Sequence, residues 1–223
     1  MDYKRISLFA GHYGSGKTNV AINYALRLKN IFESVTVADI DIVNPYFRTK
    51  DGEKILSEHG IGLISSEYAN TNVDLPALPP ELYSITQGLG TAAVIDVGGD
   101  DRGALALGRY SPKIADENNY NMFLVINMYR PETQNAKCTY EIMREIEYSG
   151  GLKFTGIVNN SNLGDETVPE DVLKSVGYAK EVSELTGLPI YMTTVEESVF
   201  PFLNKKIENL MPINIYVSWK DRI

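Results

Sequence analysis

Gly11-His12-Tyr13-Gly14-Ser15-Gly16-Lys17-Thr18 is the stretch that decides the fold, and it matches GxxxxGK[ST] in full. Before it stands Arg5–Ala10 (RISLFA), a short apolar run ending in glycine that reads as a buried strand. After it comes Lys17–Asn30, where Val20, Ala21, Tyr24, Ala25 and Leu28 recur at helical spacing. Strand, glycine-rich loop and helix, in that order, form the context in which such a loop cradles phosphate. Glycines let the backbone curl so that its N–H groups converge on phosphate oxygens. The helix that starts near Gly16 adds the positive end of its dipole. Lys17 is expected to reach the β- and γ-phosphates, and the Thr18 hydroxyl to ligate Mg²⁺.

Outward from the loop, strands and helices alternate. Ser34–Ala38 (SVTVA) reads as a strand, Asp51–His59 as a short helix closed by Gly60, and Ile61–Ser65 as a third strand. Glu67–Pro80 is irregular. Thr91–Val97 and Tyr120–Asn127 are strands, and Pro131–Tyr148 is expected to be a helix opening on a proline. Phe154–Asn159 is a strand, Pro169–Thr186 a helix with Gly187 just past its end, and Pro189–Thr194 the last clear strand. Pro212 interrupts any helix in Lys205–Ile223, so that end is expected to pack on the sheet. The alternation predicts an α/β fold, a parallel sheet with helices on both faces. The absence of linker composition suggests one domain over residues 1–223. Ligands of such sheets bind at the carboxyl ends of the strands.

Polar residues cluster at those ends. Asp39-Ile40-Asp41 follows the second strand, and carboxylates two apart can point the same way, toward the phosphates. One suits Mg²⁺, through a bound water, and the other the orientation of an attacking water. Ile95-Asp96-Val97-Gly98-Gly99-Asp100-Asp101 ends a buried strand in an aspartate beside two glycines. Asp96 suits a second Mg²⁺-binding carboxylate, while Gly98 and Gly99 let the backbone approach a γ-phosphate and move when it leaves. Asp100 and Asp101 fit either this site or the cap of a following helix. Asn159-Asn160-Ser161-Asn162 fits the edge of a nucleobase and a turn equally well. Arg48, beyond Tyr46-Phe47, fits a phosphate contact or a surface ion pair.

Bulk properties narrow the partners. The net charge is -8 and the pI about 4.9, which disfavours non-specific binding to nucleic acid or to an anionic membrane. No apolar run approaches the ~20 residues of a membrane span. The run Ile6–Ala10 is too short for the core of a signal peptide. Cys138 is the single cysteine, so no internal disulfide and no paired-cysteine metal site can form. A reducing cytoplasm is the expected location.

Taken together, GHYGSGKTNVAINYA, the DxD after the second strand and VIDVGG after the fourth resemble the MinD/ParA/CobQ-type (SIMIBI class) P-loop ATPases, from Arg5 to about Thr194. The resemblance implies a mostly parallel sheet of about seven strands that binds ATP with Mg²⁺. It assigns Lys17 and Thr18 to phosphate and Mg²⁺, Asp39 to the outer Mg²⁺ shell, Asp41 to activation of the attacking water, and Asp96 to the second metal-site carboxylate. It lays Asn160 on the adenine-reading asparagine. His12 stands where dimerising members carry a second lysine. A neutral imidazole is no substitute for an ammonium, which leaves the ATP-bridged homodimer open and argues against fast hydrolysis.

The expected function is a slow MgATPase acting as a switch for a partner protein. The alternative is an ATP-dependent small-molecule ligase or kinase of the dethiobiotin-synthetase/CobQ type, with Tyr46, Phe47 and Glu67–Pro80 lining its pocket. A GTP-using relative is disfavoured, because Asn162-Leu163-Gly164-Asp165 lacks the lysine of a guanine-reading NKxD.

Overall fold

In the computed structural model, residues 3–41, 52–65, 81–85, 90–99 and 101–217 are described, apart from the side chains of Asp101 and Arg102. The chain runs β1 (Ile6–Ala10), α1 (Lys17–Leu28), β2 (Ser34–Asp39), α2 (Glu53–Glu58), β3 (Gly62–Ser65), α3 (Leu82–Ile85), β4 (Thr91–Asp96), α4 (Asp101–Gly108) and α5 (Ser111–Glu117). It continues through β5 (Tyr120–Ile126), α6 (Ala136–Gly150), β6 (Gly156–Asn159), α7 (Pro169–Thr186), β7 (Ile190–Glu196) and β8 (Leu210–Ile213). The strands form one sheet in the order β3-β2-β4-β1-β5-β6-β7-β8, and every neighbouring pair is parallel. The strand order reverses around β1, so its carboxyl end opens onto the crevice where such sheets bind ligands.

Side-chain parity decides what faces that crevice. On β1, Ile6, Leu8 and Ala10 enter a core shared with α3 to α7, whereas Phe9 enters one shared with α1 and α2. On β4, Ala93 and Ile95 join the first core and Ala92 and Val94 the second. Alternation continues past the last apolar residue. Asp96 therefore falls on the α1 face two residues after Val94, Asp39 two after Val37, and Asn160 two after Val158.

Three features differ from the sequence expectation. The sheet has eight strands among the described residues, one more than the approximate seven expected and close to it. The extra one, β8, pairs with β7 from Thr193↔Leu210 to Glu196↔Ile213. Pro212 is tolerated because an edge strand can forgo an N–H, and Met211 and Ile213 are buried beside α1. The expected helix over Pro131–Tyr148 begins later: Pro131–Thr133 is a 3₁₀ turn, and α6 starts at Ala136. Asn135 sets that start, its side-chain oxygen accepting the Cys138 N–H at 2.9 Å, as an N-cap asparagine does. The helix α4 is the one that Asp100 or Asp101 is expected to cap, although its extent is not read from a segment with Gly103 and Gly108, and α5 has no counterpart in the sequence reading.

The chain beyond β8 is strapped to α1. Asn19 Oδ1 accepts the N–H groups of Tyr216 and Val217 at 2.9 and 3.0 Å, and Asn23 Oδ1 that of Asn214 at 2.9 Å. Among the described residues no helix is long and apolar enough to cross a membrane.

Buried phenols make stability depend on alkaline pH, Tyr178 among them. The Tyr178 hydroxyl, on α7, lies 2.6 Å from Thr139 Oγ1 on α6. Burial pushes its pKa up to about 12. The folded value exceeds the ordinary one near 10, so this stabilisation is intact below pH 10 and is lost as pH rises from about 10 to 12. Burial also pushes up the phenols of Tyr24, Tyr110 and Tyr129, so denaturant unfolding should give a stability that falls above pH 10, with Tyr178 contributing about 3 kcal/mol of the fall. In Tyr178→Phe that fall should shrink.

Candidate functional site

The glycine-rich loop leaves β1 and turns back into α1 through two short contacts. Ser15 N–H donates to the His12 carbonyl at 3.1 Å, and Val20 N–H to Gly16 O at 3.2 Å. Gly16 is left-handed at φ 85°, and a Cβ there would sit 2.3 Å from Asn160 Nδ2, so this position has room for glycine alone. Lys17 is buried, its ammonium 3.4 Å from the His12 carbonyl. The Ser15 hydroxyl is buried, and among the described residues it has no hydrogen-bond partner. A buried hydroxyl left unmade costs about 1–3 kcal/mol. An oxygen-rich anion seated in the loop would satisfy it.

The carboxylates that the sequence marks come together at this loop. Thr18 Oγ1 donates to Asp96 Oδ2 at 2.6 Å, which turns the hydroxyl's lone pairs away from the carboxylate. Asp39 and Asp96 are register partners on adjacent strands and are both buried. Ile40 N–H continues the pairing by donating to Asp96 O at 3.0 Å. Asp39 Oδ1 then accepts the Asp41 N–H at 3.0 Å, which bends the chain so that Asp41 reaches Gly98. A Cβ on Gly98 would lie 3.1 Å from Asp41 Oδ1, and one on Gly99 would lie 2.7 Å from the Tyr13 nitrogen and 3.0 Å from Lys17 Nζ. The segment after β4 is thus pressed against both the phosphate loop and Asp41.

This donor set fits Mg²⁺. The Thr18 hydroxyl and the Asp96 and Asp39 carboxylates are hard oxygen ligands on one side of the loop. Mg²⁺ at nucleotide sites takes one or two protein oxygens and completes its shell with phosphates and water.

Asn160 and Asn159 separate onto opposite faces, as parity requires. Asn160 Nδ2 donates to Ser15 O at 2.7 Å, and its Oδ1 accepts from Thr194 Oγ1 at 2.6 Å, so its carboxamide braces the phosphate loop against β7. Asn159 Nδ2 donates to Ser175 Oγ on α7 at 2.9 Å. The Asn162 side chain closes its own turn, donating to Asn160 O at 2.7 Å and accepting from Gly164 N at 3.1 Å.

Two residues of the site have no counterpart in the sequence reading. Asn127, fully buried at the end of β5, accepts N–H groups from Tyr129 and Asn162 at 3.0 and 3.3 Å. A polar residue ending an apolar strand is the signal that picks out Asp96, and it applies to Asn127 as well. Arg130 immediately precedes the 3₁₀ turn Pro131–Thr133, and its Nε donates to Gly14 O at 2.9 Å. His12 Nδ1 is 3.0 Å from Tyr13 O and 3.8 Å from Glu132 Oε2. Arg109 is exposed just past the carboxyl end of α4, about 12 Å along the helix from its start. Arg48, Tyr46, Phe47, Asp100 and Glu67–Pro80 lie outside the described residues.

No protein-family model matches the sequence, and no curated protein matches it. Solved structures do. The chain is similar to the cell division protein FtsY of Thermotoga maritima, with 21% identity and a TM-score of 0.60 over 95% of this chain and 66% of that one. It is similar to FtsY of Mycoplasma mycoides, with 18% identity and a TM-score of 0.58 over 88% of this chain and 61% of the other. The signal recognition particle 54 kDa protein of Aeropyrum pernix K1, solved in complex with GDP, gives 18% identity and a TM-score of 0.52 over 86% of this chain and 41% of that one. The chain therefore spans about three fifths of the length of the FtsY proteins and less of the 54 kDa protein. The α/β fold is the P-loop fold these proteins share.

Proposed function

We propose that the chain binds ATP with Mg²⁺ in the Gly11–Thr18 loop, hydrolyses it slowly, and acts as a cytoplasmic switch read by a partner protein. The observation that carries this reading is the 2.6 Å bond from Thr18 Oγ1 to Asp96 Oδ2, with Lys17 one residue before Thr18 and Asp39 in register with Asp96. A hydroxyl and two buried carboxylates at the mouth of a phosphate loop suit Mg²⁺-nucleotide better than a bare anion. Thr18, Asp96 and Asp39 would hold Mg²⁺, which would supply positive charge against the charge that develops on the phosphates.

The chain's own residues divide the remaining work. The loop N–H groups and Lys17 hold the phosphates, and the Ser15 hydroxyl gains a partner. Asp41 accepts a hydrogen bond from the attacking water and aligns it on the terminal phosphate. Gly98 and Gly99 lie between Asp41, Lys17 and the loop, so a γ-phosphate there would bear on them directly. A Cβ on Gly98 would be 2.8 Å from the Gly103 Cα, so a shift of this segment is passed to the start of α4. That is the ordering device by which a nucleotide switch reports its γ-phosphate. Slow turnover fits His12, which brings no permanent charge to the loop.

ATP is favoured over GTP by the loop after β6. Asn162 is committed to its own turn, and no lysine follows it. The resemblance to MinD/ParA-type ATPases through DxD and VIDVGG points the same way. The GDP in the matched 54 kDa protein makes the comparison of bases necessary. Phosphate release should be slow with MgATP alone and several-fold slower still with MgGTP at equal concentration. Robust ATP turnover seen only with an added small molecule would point instead to the ligase or kinase reading. Sedimentation with MgADP and with a non-hydrolysable MgATP analogue then separates a homodimeric switch from one whose partner is another protein.

A further inference from the structure

The turn that presents Arg130 is rigid. Arg130 N–H donates to the Asn127 carbonyl at 3.2 Å, and Thr133 N–H donates to the Arg130 carbonyl at 3.0 Å. Thr133 Oγ1 also donates to Asn127 O at 2.6 Å, and Pro131 fixes φ inside the turn. Tyr129, one residue earlier, anchors its hydroxyl on Asp171 O at 3.0 Å. The backbone of Arg130 is thus held to the carboxyl end of β5, which pairs directly with β1 and so lies beside the phosphate loop.

The guanidinium lies against that loop. Its Nε donates to Gly14 O at 2.9 Å, and a Cβ on Gly14 would be 3.3 Å from Nε and 3.7 Å from Cζ. This contact uses one of the five N–H groups of the fork. Among the described residues the two terminal amino groups make no hydrogen bond or ion pair, and the side chain is exposed. Glu132, the nearest acid in sequence, faces His12 instead, at 3.8 Å. A permanent cation is therefore pinned by one donor to the lip of an anion-binding loop, with its remaining donors uncommitted, in a chain of net charge -8.

We propose that Arg130 is a nucleotide-binding residue: with one N–H on Gly14 it offers the rest of its fork to the phosphates of a nucleotide seated in the same chain's loop. The assignment rests on the nucleotide-binding reading and adds to it a second fixed positive charge beside Lys17. The planar fork matches two phosphate oxygens at once, which a lysine ammonium does not.

Titration of the full chain with a fluorescent ATP analogue, at low and high salt, tests this. Arg130→Gln is expected to weaken binding about tenfold at low salt, the loss of a partly solvated charge-assisted contact. The gap should narrow as salt rises, because the lost term is a screened charge. Arg130→Lys should recover part of the affinity. The thermal midpoint of the nucleotide-free variants should match that of the unsubstituted chain, since the side chain is exposed. Unchanged affinity in Arg130→Gln would overturn the assignment. So would an equal, salt-independent loss in both variants, which would make Arg130 a brace for Gly14 alone. An unsubstituted chain that binds no nucleotide would instead overturn the reading beneath it.

Discussion

Lys17→Ala is expected to lower affinity for MgATP by at least about a hundredfold, while the chain folds as before. The side chain is buried in the loop with its ammonium at the His12 carbonyl and beside Gly99. It is therefore ordered before any ligand arrives, and its charge-assisted contacts to phosphate cost little entropy to form. The helix it opens is secured by Val20, Ala21, Tyr24, Ala25 and Leu28, all fully buried, so removing one side chain at its first turn leaves that packing intact. Circular dichroism and thermal unfolding would confirm the fold, and a binding titration would give the loss. Affinity that survives the substitution would mean that the loop does not bind phosphate.

Asp41→Asn is expected to do the opposite, keeping MgATP affinity within a few-fold and cutting single-turnover hydrolysis by about a hundredfold or more. The amide keeps the shape of the carboxylate, and the backbone bond from Asp41 N–H to Asp39 Oδ1 is untouched. What is lost is the negative charge that orients the water. If hydrolysis persists at the original rate, another group aligns the water and Asp41 only supports the segment at Gly98. If binding falls in step with turnover, Asp41 belongs to the ligand shell instead.

Much of this site is legible in the sequence because it follows from parity. Once SVTVA and TAAVID are read as strands, alternation sends Asp39 and Asp96 to the face where the loop's helix lies. The same rule places Asn160, and not Asn159, behind the phosphate loop. The missed residues have different causes. Asn127 ends its strand as Asp96 does, but without a neighbouring GG to draw attention. Arg130 depends on a helix start: reading Pro131 as the first turn of α6 hides the 3₁₀ turn that aims its side chain at Gly14, and the N-cap at Asn135 decides the matter. The strand β8 is four residues long with a proline inside, a pattern that only its place on the sheet edge makes permissible. Asn19 and Asn23 read as polar positions on a helix, and their role as a strap for Asn214–Val217 requires a partner far along the chain.

Calorimetric titration of MgATP into the unsubstituted chain, with Lys17→Ala alongside, tests the central claim most directly. The expected result is saturable binding with a stoichiometry of about one, weakened when Mg²⁺ is withheld and absent in Lys17→Ala. No saturable heat with MgATP or MgGTP, or equal binding by Lys17→Ala, would contradict the assignment of Gly11–Thr18 as the nucleotide site.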